Sequence, residues 1–133
     1  MQALALIIVL IAGFWLIGVG LLMAVRPHLG VRLCETMAAG LERSSWRVQY
    51  TEQGLRVLAG AALIVRAPAS KLPLLFEVAG WILVATSMLI MVAPISWHAA
   101  YGRLLLKRLT PRMLRTLSPI PAAAGAGLLY AAL

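Results

Sequence analysis

Carboxylate, imidazole and thiol chemistry in this 133-residue chain rests on seven side chains: Glu35, Glu42, Glu52, Glu77, His28, His98 and Cys34. Their spacing forms no HExxH or CxxC pattern, no Gly-rich phosphate loop occurs, and the acids are too few for a carboxylate pair within one apolar segment. One cysteine excludes an intramolecular disulfide and offers no metal-ligand spacing. His28 and His98 each follow a long apolar run, so a b-type haem between them would require both rings to face one cavity at one depth. Solvation at an interface is the simpler role for both. No catalytic, cofactor-binding or metal-binding residue is therefore expected, and no enzyme.

The charged residues that remain of interest are those inside apolar segments. Glu77 sits within Leu72–Val92, and an ionisable group in such a segment is a functional candidate. It is also near enough to the segment's start to reach the interface or to pair with Arg66 or Lys71. Glu52 precedes Arg56 by four residues, the favourable order for a helical ion pair.

These groups must be positioned by elements whose environment is plain from composition. Apolar residues make up 62% of the chain and charged residues 12%, against roughly 25% charged in an ordinary soluble domain. Ala3–Val25 carries no charge and as a helix reaches roughly 34 Å, enough to cross a hydrocarbon core of about 30 Å. No Lys or Arg precedes it and Arg26 follows it, the reverse of a cleaved signal peptide, so it reads as a retained span. Val31–Arg43 places Leu33, Cys34, Met37, Ala38 and Leu41 on one side, an amphipathic helix for the interface plane. Ser44-Ser45 offers a break and an N-cap.

A second span is expected from about Trp46 to Ala67. Its uncharged core, Val57–Val65, is short and bracketed by Arg56 and Arg66, so a re-entrant segment is the alternative. Leu72–Val92 is the third span. After Pro94 comes a basic amphipathic helix, and Thr110-Pro111 and Ser118-Pro119 each pair an N-cap residue with proline at the first helical position. The terminal PAAAGAGLLYAAL is a short fourth span. Arg26, Arg32, Arg43, Arg47 and Arg56 lie in the first connection, Arg103, Lys107, Arg108, Arg112 and Arg115 in the last, and only Arg66 and Lys71 between spans two and three. Connections 26–56 and 94–118 are then cytoplasmic and both termini extracytoplasmic. The net charge of +8 is directed to anionic headgroups at the cytoplasmic face and not to nucleic acid.

The order long span, proline, amphipathic connection, short Gly/Ala-rich span occurs twice. A shift of 67 carries Ala12-Gly13 onto Ala79-Gly80, Pro27 onto Pro94 and Ala59-Gly60 onto Ala126-Gly127. The expectation is an all-α integral membrane protein, one membrane domain over 1–133, with four transmembrane helices in two tandem two-span repeats, about 1–67 and 68–133. The repeats are related by an axis along the membrane normal. Close helix packing falls to Gly13, Gly18, Gly20, Gly60, Gly80 and Gly127, because small residues replace the hydrophobic drive that lipid removes.

The second half, with its long apolar span, Pro94-Ile95-Ser96-Trp97, basic helix, Leu109-Thr110-Pro111, Leu114-Arg115 and Gly/Ala-rich end, resembles the small two-span YjeT-type inner-membrane proteins of bacteria. The first half keeps Pro27 and has Arg56 before Gly60, without a tryptophan three residues after the proline. The resemblance implies topology and a bacterial inner membrane, and no activity. Two functions fit: an accessory subunit or interaction partner in a membrane assembly, self-associating or joined to another membrane protein, or a small oligomeric carrier or channel using Glu77, Arg56 and Glu52.

Overall fold

The computed structural model describes residues 1–43 and 45–133, with all side chains among them except those of 41–43, 45 and 95. Ser44, at the expected break, lies outside the described residues. These are helical nearly throughout and contain no strand. Helix α1 spans Gln2–Val25, α2 Pro27–Arg43, α3 Ser45–Arg66, α4 Pro73–Val92, α5 Ile95–Arg108, α6 Pro111–Leu117 and α7 Pro119–Ala132, with a single 3-10 turn at Ala67–Ala69.

Proline sets most of these boundaries. Arg26 (φ −129°, ψ 63°) and Ala93 (ψ 145°) leave the helical region immediately before Pro27 and Pro94, because the following pyrrolidine ring disfavours α geometry. The amphipathic helix starts at Pro27, four residues before the expected Val31, since proline is tolerated in a first turn whose N–H groups lack partners anyway. At Thr110 the expected cap forms: Thr110 Oγ1 accepts from the Met113 N–H at 3.2 Å. At Ser118 it does not. Ser118 is itself helical (φ −54°, ψ −33°) and its Oγ donates to the Arg115 carbonyl at 2.7 Å, so α6 runs into α7 through one turn. Thr110→Ala is expected to cost about 1 kcal/mol in denaturant unfolding in detergent. Thr116→Ala, which removes only a hydroxyl donating to the Arg112 carbonyl within the helix, should stay within about 0.5 kcal/mol.

Two helix pairs organise the chain. α1 lies along α7 and α3 along α4, and α1 against α3 joins the pairs. Where α1 and α4 begin and α3 and α7 end, Ala5, Val9, Ala62, Leu63, Phe76, Ala131 and their neighbours form the apolar core. The last carbonyls of a helix have no partner within it, and here side chains and a loop amide supply them. Gln2 Nε2 donates to Val65 O at 2.8 Å, Arg66 Nη2 to Ala132 O at 2.9 Å, and the Lys71 N–H to Ala131 O at 2.8 Å. Lys71 Nζ also sits 4.4 Å from the Tyr130 ring centroid.

Of the four expected spans, two helices, α1 and α4, are long and apolar enough to cross a membrane. Only 17% of each is buried within the chain, and Phe14, Trp15, Trp81 and Leu89 point outward. A core helix of a water-soluble globule would be mostly buried. α3 is as long but carries Arg47, Glu52, Arg56 and Arg66, and α7 has 14 residues.

Candidate functional site

Both helix pairs close on glycine. A Cβ on Gly80 would lie 2.7 Å from the Gly60 carbonyl oxygen, and one on Gly60 would lie 2.9 Å from that of Gly80. In the other pair a Cβ on Gly125 would meet the Gly13 oxygen at 2.5 Å, and one on Gly13 would meet Leu129 Cδ2 at 2.7 Å. Gly20 fits against Ala122 and the Ser118 carbonyl at 2.8–2.9 Å. At Gly20, Gly60, Gly80 and Gly125 the close atoms include backbone, so no side chain fits there without moving a helix, whereas at Gly13 the Leu129 side chain is what would have to shift. The glycines thus set the spacing of each pair. Of the expected packing residues, Gly13, Gly20, Gly60 and Gly80 lie in these seams. Gly18 and Gly127 do not: nothing approaches within 4 Å of a Cβ at either. Gly125, which the sequence pattern did not single out, takes the place expected of Gly127.

The contacts of the two pairs correspond. Gly13 and Ile17 contact Gly125, and Gly80 and Val84 contact Gly60. The offset is 67 between α1 and α4 but 65 between α3 and α6–α7, two residues from the ungapped shift. By the same offset Ser45–Arg66 corresponds to residues 110–131, so that α6 and α7 together match α3.

The correspondence ends at a polar stripe on α3. Gln49, Glu52, Gln53 and Arg56 fall within roughly 100° of one another at 100° per residue, in line with Gly60. Gln49, Gln53 and Ser87 of α4 are fully buried, at 0% exposure. Gln49 Nε2 donates to the Ile90 carbonyl at 2.9 Å. That oxygen is available because its helical donor would be residue 94, and Pro94 has no N–H. Gln49 Oε1, both amide atoms of Gln53 and Ser87 Oγ have no hydrogen-bond partner among the described residues. In the other pair the corresponding positions are Leu114, Ser118 and Gly20, so the buried polar cluster belongs to α3–α4 alone. Sequence reasoning passed over these residues. The available signal was a pair of glutamines four apart, continuing into Gly60 on one helical stripe, with a proline four residues after a carbonyl that Gln49 reaches.

Around this cluster the expected charged residues are spread out. Glu52 is half-buried and Arg56 exposed, midway along α3, and they do not close the ion pair that their spacing allows. Glu77 is exposed in the second turn of α4. Neither expected partner reaches it, because Arg66 is held by Ala132 and Lys71 by Tyr130. His28 is exposed beside Arg26, and His98 is half-buried with Nδ1 unpartnered. Among the described residues no three His, Cys, Asp or Glu side chains converge as a metal site. The chain matches no protein-family model, and no curated protein or solved structure is significantly similar to it.

Proposed function

We propose that this is a non-catalytic, four-span protein of a bacterial inner membrane, built from two tandem repeats and acting as an accessory subunit or interaction partner in a membrane assembly. α3 runs along α4, and α6–α7 along α1, which favours reading both as crossing with the two long apolar helices. The corresponding glycine contacts and the resemblance of the second half to YjeT-type proteins favour duplication. The arginines that follow α1 and α4 favour cytoplasmic connections and extracytoplasmic termini.

The observation that carries the interaction role is Arg56: exposed, midway along α3, with no ion pair among the described residues. A cation at the centre of a spanning helix costs about 2.5–3.5 kcal/mol on insertion scales unless something meets it. A neighbouring subunit that offers acceptors to Arg56, and a donor to Glu77, removes that cost. A photoreactive residue in place of Leu55, exposed beside Arg56, is expected to give one discrete protein adduct, either a second copy or one partner, that disappears in Arg56→Leu. Adducts with lipid alone, unchanged by Arg56→Leu, would contradict the proposal.

A carrier or channel is the second reading, favoured by Gln49, Gln53 and Ser87, whose unpartnered atoms lie inside the bundle. Proteoliposomes that show solute or proton flux lost in Gln53→Leu and in Glu77→Gln would support it. Absence of flux, or flux indifferent to both substitutions, would end it.

A further inference from the structure

The arginine-rich end of the bundle holds a feature that the interaction role does not use. A cleft of about 470 Å³ opens between the α1–α2 junction and the start of α6, lined by Val25, Arg26, His28, Leu29, Arg112 and Arg115 together with two prolines. Its volume lies within the roughly 300–1,000 Å³ of small-ligand sites. A second hollow of about 390 Å³ shares Val25, Arg26 and Leu29 with it and runs along α1 over Leu22, Leu21 and Gly18. Gly18 faces open space, with no atom within 4 Å of a Cβ position, so its missing side chain deepens the groove. The two hollows together form a basic cup continuing into an apolar trough along a membrane-length helix.

We propose that this cup and trough hold one anionic phospholipid, with its phosphate among Arg26, Arg112 and Arg115 and one acyl chain lying over Gly18, Leu21 and Leu22. Three guanidinium groups line the cup and no carboxylate does, so the site is charged for an anion. Arg115 is fixed by its Nε, which donates to the Ala24 carbonyl at 3.2 Å, leaving its terminal nitrogens for the ligand. A guanidinium offers paired donors that match phosphate oxygens, an arrangement stronger than a neutral hydrogen bond and more selective than a lone ammonium. Basic pockets between membrane helices at the cytoplasmic face are where anionic headgroups bind. The trough selects a lipid over a free phosphate ester, because its apolar walls make close packing contacts with an acyl chain that a soluble ester does not carry.

Among the described residues the site occurs once. At the corresponding positions of the other half, Ala93 stands for Arg26 and Tyr50 for Arg115, leaving Arg47 for Arg112. One lipid per chain is therefore expected, over and above any diffuse attraction of the basic surface.

Native mass spectrometry of the detergent-purified protein, titrated with phosphatidylglycerol and with phosphatidylcholine of the same chains, tests this. The expected result is one tightly retained phosphatidylglycerol and at least tenfold weaker phosphatidylcholine. Arg26→Gln/Arg112→Gln should weaken phosphatidylglycerol tenfold or more, and Lys107→Gln/Arg108→Gln, with the same change of net charge on α5, less than twofold. Gly18→Leu fills the trough from a position in open space and should weaken the lipid several-fold. Equal binding of the two lipids, or equal loss in the two double variants, would overturn the site in favour of diffuse electrostatics. Glycerol phosphate competing at the same concentration as the lipid, or lipid binding unaffected by Gly18→Leu, would overturn the lipid in favour of a soluble anion.

Discussion

Gly125→Leu is expected to lower stability by about 3 kcal/mol, at the upper end of the usual cost of overpacking. The would-be Cβ already lies 2.5 Å from the Gly13 carbonyl and 2.9 Å from the Ile17 amide nitrogen. Both are backbone atoms, so no rotamer relieves the clash, and α7 must move off α1. The outward effects should include exposure of the Ala131–Ala132 end of the core and loss of the Lys71-to-Ala131 hydrogen bond. Gly127→Leu, two residues away on the open face of the same helix, should change stability by less than about 0.5 kcal/mol. Denaturant titration in detergent, followed by tryptophan fluorescence, distinguishes the two. Similar losses for both would mean that α1 and α7 do not close on Gly125.

Gln53→Leu carries the opposite sign. Its amide nitrogen and oxygen are both buried and both unpartnered, and an unpaired buried polar group costs about 1–3 kcal/mol. A leucine of similar bulk removes that penalty, so the variant is expected to be more stable by about 1–3 kcal/mol. Gln49→Leu should not behave this way, because it would also abandon the Ile90 carbonyl that Pro94 leaves without a donor. The same unfolding titration checks both. A Gln53→Leu variant less stable than the wild type by a kcal/mol or more would mean that Gln53 has a polar partner in the membrane, and would move weight to the carrier reading.

The long elements of the fold were readable because their physics is one-dimensional. An apolar run of membrane length, uncharged in α1 and with Glu77 as the one charge in α4, and a proline just past its end define both helices to within a residue of the expected Ala3–Val25 and Leu72–Val92. Thr110 was readable for the same reason, since a cap depends on its own next three residues. Ser118 was not: the identical cap-proline pattern lies inside a helix whose α6 turn precedes it, and the hydroxyl turns back to Arg115.

Seams between helices depend on phase and register, which composition does not reveal. Gly127 and Gly125 are equally small and share one segment, but they point to different sides of α7, and only the partner helix decides which is used. The repeated Ala-Gly pair at 59–60 and 126–127 favoured an ungapped offset of 67. The contact register is 65, because the connection between Gly80 and Gly125 is two residues shorter than that between Gly13 and Gly60. The glutamine–serine cluster is not legible in the sequence for a related reason: polar residues in an apolar stretch read as a weak span when the facing helix is unknown. Arg56 and Glu77 are legible in the sequence, but the contacts to Glu52, Arg66 and Lys71 that their spacing allows do not form, and Arg66 and Lys71 are engaged instead by Ala132 and Tyr130 at the end of α7.

That isolation of Arg56 is the centre of the functional reading, and the mass of the particle in gentle detergent tests it most directly. An interaction protein should run as a complex of fixed stoichiometry, with a second copy or with one other membrane protein. Arg56→Leu should reduce it to the 14.3 kDa chain while leaving helix content unchanged. A wild type that is monomeric across detergents mild enough to keep its lipid, indistinguishable from Arg56→Leu, would contradict the account.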